Sequence, residues 1–302
     1  MEAQHTTSPT PNPSPASTSI GTPLVTTAGD LGGRQQVPIF SFANGELGVL
    51  SSGVIRTLEK ITGQPKIKRL YLDYVDDGRP DHLFWQDAVA RLELTTHVHK
   101  ERGAVIPKSG PLLVIANHPF GVIDGLILCA ELSKVRQDYK IITHRVLRQA
   151  PAVMHQILPI DFSETETALA TNLETRKAAI QQIKNGGALV LFPSGGISLA
   201  PKVLGTAVDV EWKTFVARLA LVPGTTTVPM YFSGQNSLVY MMARRMSLTL
   251  GYALMFREIR RRIGSRVDVT IRKPVTADQL KAMGDRNQVT GYLRRLTYGG
   301  DS

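Results

Sequence analysis

Residues 112–128, LLVIANHPFGVIDGLIL, decide how the chain is to be read. The first five, Leu112 to Ala116, make a continuous apolar run with the length and abrupt bounds of a buried strand, and the apolar residues after Asp124 and Gly125 read as the start of a helix. Between them lies a polar turn carrying Asn117, His118, Pro119 and Gly121. In open α/β sheets, reactive groups collect at the carboxyl ends of strands. An imidazole held by a carboxylate is a general base, because the carboxylate fixes the tautomer and stabilises the imidazolium. His118 and Asp124 are therefore the candidate catalytic pair. On one ideal helix, six positions would set them about 600° apart, on opposite faces, so the turn at Pro119 and Gly121 must fold the chain back. A lone histidine would more simply be a core residue bonded to a backbone carbonyl. Its place at a strand end, near an acid and with two similar loops downstream, favours the chemical reading.

Working outward, residues 188–192 read as another buried strand, ending in Pro193-Ser194-Gly195-Gly196. Residues 226–232 read as one more, ending in Ser233-Gly234-Gln235-Asn236-Ser237. Glycine lets backbone amides approach a ligand, and clustered amides suit a carbonyl oxyanion or a phosphate. Further strands are expected at 94–99, 139–143 and 267–271. Helices are expected at 40–61 (with a break near Gly53), 81–94, 151–158, 164–185, 212–221 and 278–298, with a turn at 159–162. In the helix at 164–185, Leu169, Leu173, Ile180 and Ile183 are the apolar positions. The acids Asp73, Asp76, Asp77 and Asp81 lack the alternating spacing of a calcium loop and read as a solvated helix–helix connection. Strands alternating with helices imply an α/β fold with a mostly parallel central sheet flanked by helices. It is preceded by an N-terminal helical segment (36–93) and a disordered tail (1–35), with the α/β domain over 94–302.

The tail assignment rests on composition. Residues 1–33 are rich in Pro, Ser and Thr, which bury too little apolar surface to offset ordering entropy, and they lack the basic start and apolar run of a signal peptide. No stretch offers the roughly 18 uninterrupted apolar residues of a membrane span. Arg244 and Arg245 break the nearest candidate, 238–256. A formal charge of +10 and a pI near 9.8 favour an anionic partner. Aromatic residues at 6% and the lack of a binding module argue against nucleic acid. The single cysteine, Cys129, excludes an intrachain disulfide and a thiol-based zinc site, and reads as a small core residue in an intracellular protein. No metal site is expected.

Three blocks carry a family resemblance across residues 94–274. They are Asn117-His118-Pro119-Phe120-Gly121-Val122-Ile123-Asp124-Gly125, Phe192-Pro193-Ser194-Gly195-Gly196-Ile197-Ser198, and the strand from Val228-Pro229 to Ser237. In this order they resemble the glycerolipid acyltransferases of the lysophosphatidic acid acyltransferase type. The spacing of five residues between His118 and Asp124, one more than the common pattern, resembles the branch of ornithine-lipid acyltransferases and so-called putative hemolysins. The family's Phe-Pro-Glu-Gly-Thr-Arg block has Ser194 in place of its Glu and lacks its Arg, and Phe162 replaces an Arg expected after the Pro-Ile-Asp turn. In the family the Glu and Arg of that block help seat a phosphate-bearing acceptor, so amino-acid and other lipid acceptors stay open.

The resemblance implies acyl transfer from a thioester of coenzyme A or an acyl carrier protein, with no other cofactor. The acceptor would be the hydroxyl or amine of a lysolipid-type molecule. His118 would act as base and Asp124 as its orienting acid. Asn117, Gly121, Pro193, Ser194, Gly195, Ser198 and Asn236 would line the substrate site, with amides near Gly195 holding the oxyanion. Asn236 could equally cap a helix. Two rivals are a lipid esterase using Ser194, His118 and Asp124, and a lipid-binding protein with a decayed site. The basic segment 257–266, with Arg257, Arg260, Arg261, Arg262 and Arg266, is expected to meet anionic lipid at the cytoplasmic face of a membrane.

Overall fold

The computed structural model describes residues 41, 49–163, 165–202 and 205–300. The expected tail, 1–35, lies outside the described residues, as does most of 36–48. Three helices come first: α1 (Val49–Thr62), α2 (Gln64–Asp76) and α3 (Phe84–Arg91). The expected break near Gly53 is not found. The helix runs through it, and the chain turns instead at Gly63, whose φ is +148°. A Cβ there would lie 3.0 Å from the Phe256 carbonyl, so packing sets the turn. The acidic group is not a simple connection either. Asp73 and Asp76 belong to α2, a helix the sequence reading did not separate, Asp77 caps its end, and Asp73 pairs with Arg69 at 2.8 Å.

The α/β body begins with β1 (Thr95–Lys100), β2 (Leu112–Ala116), α4 (Val122–Ser133), β3 (Tyr139–His144) and β4 (Ile157–Ile160). It continues with α5 (Glu166–Lys184), β5 (Ala188–Leu191), α6 (Phe215–Ala220) and β6 (Thr226–Ser233). After them come α7 (Leu238–Met246), α8 (Leu248–Arg262), β7 (Arg266–Ile271), β8 (Val275–Thr276), α9 (Ala277–Lys281) and α10 (Arg286–Tyr298). The sheet order is β1-β7-β6-β2-β5-β3-β4, with β8 also on β6. All pairings are parallel except those of β6 with β7 and β8. This is the mostly parallel α/β architecture expected.

β2 lies in the middle of the sheet, and every one of its side chains is buried, as a central parallel strand with both faces covered requires. Alternation sends Leu112, Val114 and Ala116 into the core shared with Trp85, Phe120 and the α4 residues. Leu113 and Ile115 face the other core, with Ile183, Val216 and Leu293 from α5, α6 and α10. Because β5 and β6 flank β2 in parallel, with Ile115 opposite both Leu191 and Pro229, the loops leaving all three strands emerge side by side.

Three expectations need correction. Residues 151–156 form only a 3-10 turn, and 157–160 are the edge strand β4, where Pro159 is tolerated because an edge position does not require every N–H. The closing helix is split into α9 and α10, with Asp285 accepting from the amides of Asn287 and Gln288 to restart it. In α5 the buried face carries Ala168, Thr175, Ala179 and Ile183, while Leu169 and Leu173 point to solvent, Leu169 at 72% exposure.

Candidate active site

The turn after β2 folds back as the spacing requires. Gly121 adopts φ +75°, and Asp124, in the first turn of α4, accepts the amides of Phe120 (2.8 Å) and Gly121 (2.9 Å) on Oδ2. The same oxygen stands 3.0 Å from Nδ1 of His118. One carboxylate thus caps its own helix and meets the imidazole. Only glycine fits at 121: a Cβ would sit 2.8 Å from Ile197 Cδ1, in a backbone region L side chains rarely adopt. Asp124 is fully buried, and burial pushes its carboxyl up from the ordinary carboxylate range. His118 and the two amides oppose that shift.

His118 is fixed from further sides. Its ring stacks on Phe192 with centroids 3.9 Å apart. Its backbone amide donates to Asp209 Oδ1 (3.1 Å), and its carbonyl accepts from the Ser198 amide (2.9 Å). Asp209 was not singled out from the sequence. It is buried, and it also accepts the Ser198 hydroxyl and the Trp212 indole N–H (2.8 Å). An acid alone in the apolar run Ala207-Val208-Asp209-Val210, three residues before a tryptophan, was the available signal.

The expected substrate-site residues divide into two groups. His118, Gly121, Pro193 and Gly195 line one cavity of about 270 Å³, with Gly125, Gly196, Ile197 and mostly apolar neighbours. Asn117, Ser194, Ser198 and Asn236 are buried beside it and are not on its wall. Asn117 bridges strand ends: its side-chain amide donates to the Phe232 carbonyl (2.9 Å) and accepts from the Phe232 amide (2.7 Å). The Ser194 hydroxyl donates to the Gly196 carbonyl (2.7 Å). Asn236 does not cap α7, a role Ser237 takes by accepting from the Tyr240 amide. The Asn236 side chain has no partner among the described residues. The Gly195 amide donates to the Phe192 carbonyl (3.0 Å), whereas the Gly196 amide makes only a long 3.5 Å contact to Ser194 Oγ.

The cavity also carries His144 and Phe162, the latter standing where the resemblance expects an Arg, and their rings stack at 5.7 Å. Burial and the neighbouring Arg145 push His144 down to about 4, so it is neutral at ordinary pH. Its Nδ1 accepts from the Val146 amide. Three cations reach the cavity from separate elements, Arg176 of α5, Lys213 before α6 and Arg244 of α7. None is ion-paired among the described residues. A second, almost wholly apolar compartment of about 110 Å³ shares Val122, Val146 and Leu147 with the first and extends beneath α2, α3 and α8.

Much of the basic segment 257–266 is engaged within the protein. Arg257 and Arg261 flank Glu258, and Arg266 pairs with Asp268. Arg262 turns inward, 3.9 Å over the Phe120 ring, and donates to the Gln235 carbonyl. Burial lowers the Arg262 pKa against the opposing pull of Asp124 and Glu258.

A histidine–carboxylate pair at the end of a central parallel strand, opening on a mostly apolar cavity, is an arrangement that can take up and return a proton beside an apolar ligand. Residues 97–233 match the family model described as Acyltransferase. The comparison with solved structures finds a 1-acyl-sn-glycerophosphate (LPA) acyltransferase, PlsC, from Thermotoga maritima. The two share 19% identity and a TM-score of 0.46, over 83% of this chain and 87% of that one. No curated protein matches the chain.

Proposed function

We propose that the protein moves a fatty acyl chain from a thioester, on coenzyme A or an acyl carrier protein, to the hydroxyl or amine of a lysolipid-type acceptor bearing an anionic group. The observation that carries this reading is the His118–Asp124 pair, 3.0 Å apart, opening on a cavity that is apolar in its walls and cationic at Arg176, Lys213 and Arg244. His118 Nε2 takes the proton as the acceptor's oxygen or nitrogen attacks the thioester carbonyl carbon. Asp124 offsets the charge that develops on the ring. Collapse of the tetrahedral oxyanion breaks the C–S bond, and the departing thiolate recovers the proton from His118. Gly196 and Ile197 line the cavity, and their amides are assigned to hold the oxyanion in place of Gly195, whose amide already donates to the Phe192 carbonyl. The three cations supply the anion-binding charge that the missing Arg of the second block would otherwise bring. The apolar compartment beyond Val122, Val146 and Leu147 gives the acyl tail a place to extend.

An esterase built on Ser194 is less well supported, because that hydroxyl is held in its own turn and off the cavity wall. The reading places the protein peripherally at the cytoplasmic face of a membrane. Among the described residues, no helix is long and apolar enough to cross one. Lipid extracts of cells making the intact protein should gain one acylated lipid class that is missing when His118→Ala is made instead. Identical profiles would remove the proposal.

A further inference from the structure

The outer side of α7 is apolar. Leu238, Val239, Met242 and Met246 fall within an arc of about 100° at the helical advance of about 100° per residue, and Met246 is 78% exposed and Val239 51%. The inner side of α7 is filled by Tyr240 and Met241, both buried. The exposed strip runs into Leu248 at the start of α8, and Leu248 is also on the cavity wall. Phe162, exposed as well, lies on the same wall. A run of large open apolar side chains of this kind marks an interaction surface. Its charge surroundings are one-sided: α7 ends in Arg244, which reaches the cavity wall, and in Arg245, which is exposed while donating to the Ala200 carbonyl, and no acidic residue occurs between Glu211 and Glu258.

We infer that α7 and the start of α8 are the surface by which the protein docks on an anionic lipid bilayer, with the mouth of the catalytic cavity turned to the membrane. This rests on the lipid-acceptor reading above, and it moves the membrane contact away from the segment 257–266. Apolar side chains that enter the acyl boundary, flanked by arginines that meet headgroup phosphates, are how interfacial helices bind. A bilayer fits better than a second copy of the chain, since the same face of a second copy has no acidic residue between Glu211 and Glu258 to meet these arginines. Continuity with the cavity lets a lipid pass from bilayer to His118 without crossing water.

The test is flotation of the full-length protein with phosphatidylcholine vesicles, with and without phosphatidylglycerol. The wild type should float with the phosphatidylglycerol-containing vesicles. Met242→Asp with Met246→Asp should weaken that binding at least about tenfold, while Ile61→Asp, an equally exposed apolar site on α1, should not change it. Neither methionine lines the cavity, so the double variant should keep the wild-type transfer rate on an acceptor dispersed in detergent and lose rate on the same acceptor in vesicles. Flotation of the double variant like wild type, or no binding by the wild type, overturns the inference. So does conversion of a wild-type dimer to monomers by the double variant without any vesicle binding. Binding that behaves as expected in a protein without transferase activity would instead sink the catalytic reading and leave the docking surface standing.

Discussion

At the scale of single residues, the site is an imidazole whose every attachment is specified. Asp124 faces its Nδ1, Phe192 backs its ring, and Asp209 and Ser198 hold its backbone. Asp124→Asn removes the charge that offsets the imidazolium and should lower kcat by about 10²- to 10⁴-fold with the fold intact, read by steady-state kinetics and circular dichroism. Asp209→Ala strands three buried donors, His118 N–H, the Ser198 hydroxyl and the Trp212 indole. At roughly 1–3 kcal/mol for each unsatisfied group, non-additive in one network, a loss of about 3 kcal/mol in chemical denaturation is expected. His144 gives a pH dependence. Its folded-state pKa, about 4, lies below its ordinary value of 6.5, so between these limits the unfolded chain binds the extra proton and stability falls as pH is lowered. The fall should amount to at most about 3 kcal/mol and level off below pH 4. Urea titrations across that window should show the slope in the wild type and a flatter one in His144→Phe.

At the scale of elements, the site exists because β5, β2 and β6 are parallel neighbours, so that three loops far apart in sequence leave the sheet together. Glycines let those loops close up. At Gly234, with φ +119°, a Cβ would sit 2.7 Å from Phe120 Cζ. Gly234→Ala should therefore push Phe120 and the turn behind it, costing roughly 1–3 kcal/mol of stability and lowering kcat more than it raises KM. β2, β5 and β6 were legible in the sequence because each is a short apolar run cut off by a polar, glycine-containing loop. β4 was not, because Pro151 and an apolar helical spacing disguised it, and an edge strand needs little pattern of its own. On α5 the spacing of Leu169 and Leu173 suggested a buried stripe, yet small residues, Ala168, Thr175 and Ala179, fill the close contact with the sheet. Periodicity locates a helix more reliably than it says which of its stripes is inside. The pair His118 and Asp124 could be read because a motif carries it. Asp209 could not, since its partners come from positions up to 91 residues away and only the fold gathers them.

At the scale of the whole molecule, positive charge gathers on the wall of a mostly apolar cavity. Arg176, Lys213 and Arg244 reach its wall from three different elements, so no local motif announces them. Charge removal at Lys213, by Lys213→Ala, should raise KM for an anionic acceptor by about tenfold with kcat little changed, an effect that added salt should mimic in part. The central claim is that His118 passes a proton during direct transfer from thioester to acceptor. The most direct measurement is release of free thiol from an acyl thioester, followed with and without a lysolipid acceptor, alongside mass spectrometry of the protein. The account predicts thiol release that depends on the acceptor, falls at least about 10²-fold in His118→Ala, and leaves no acylated protein. Undiminished release by His118→Ala, or an acyl group trapped on Ser194, would contradict it.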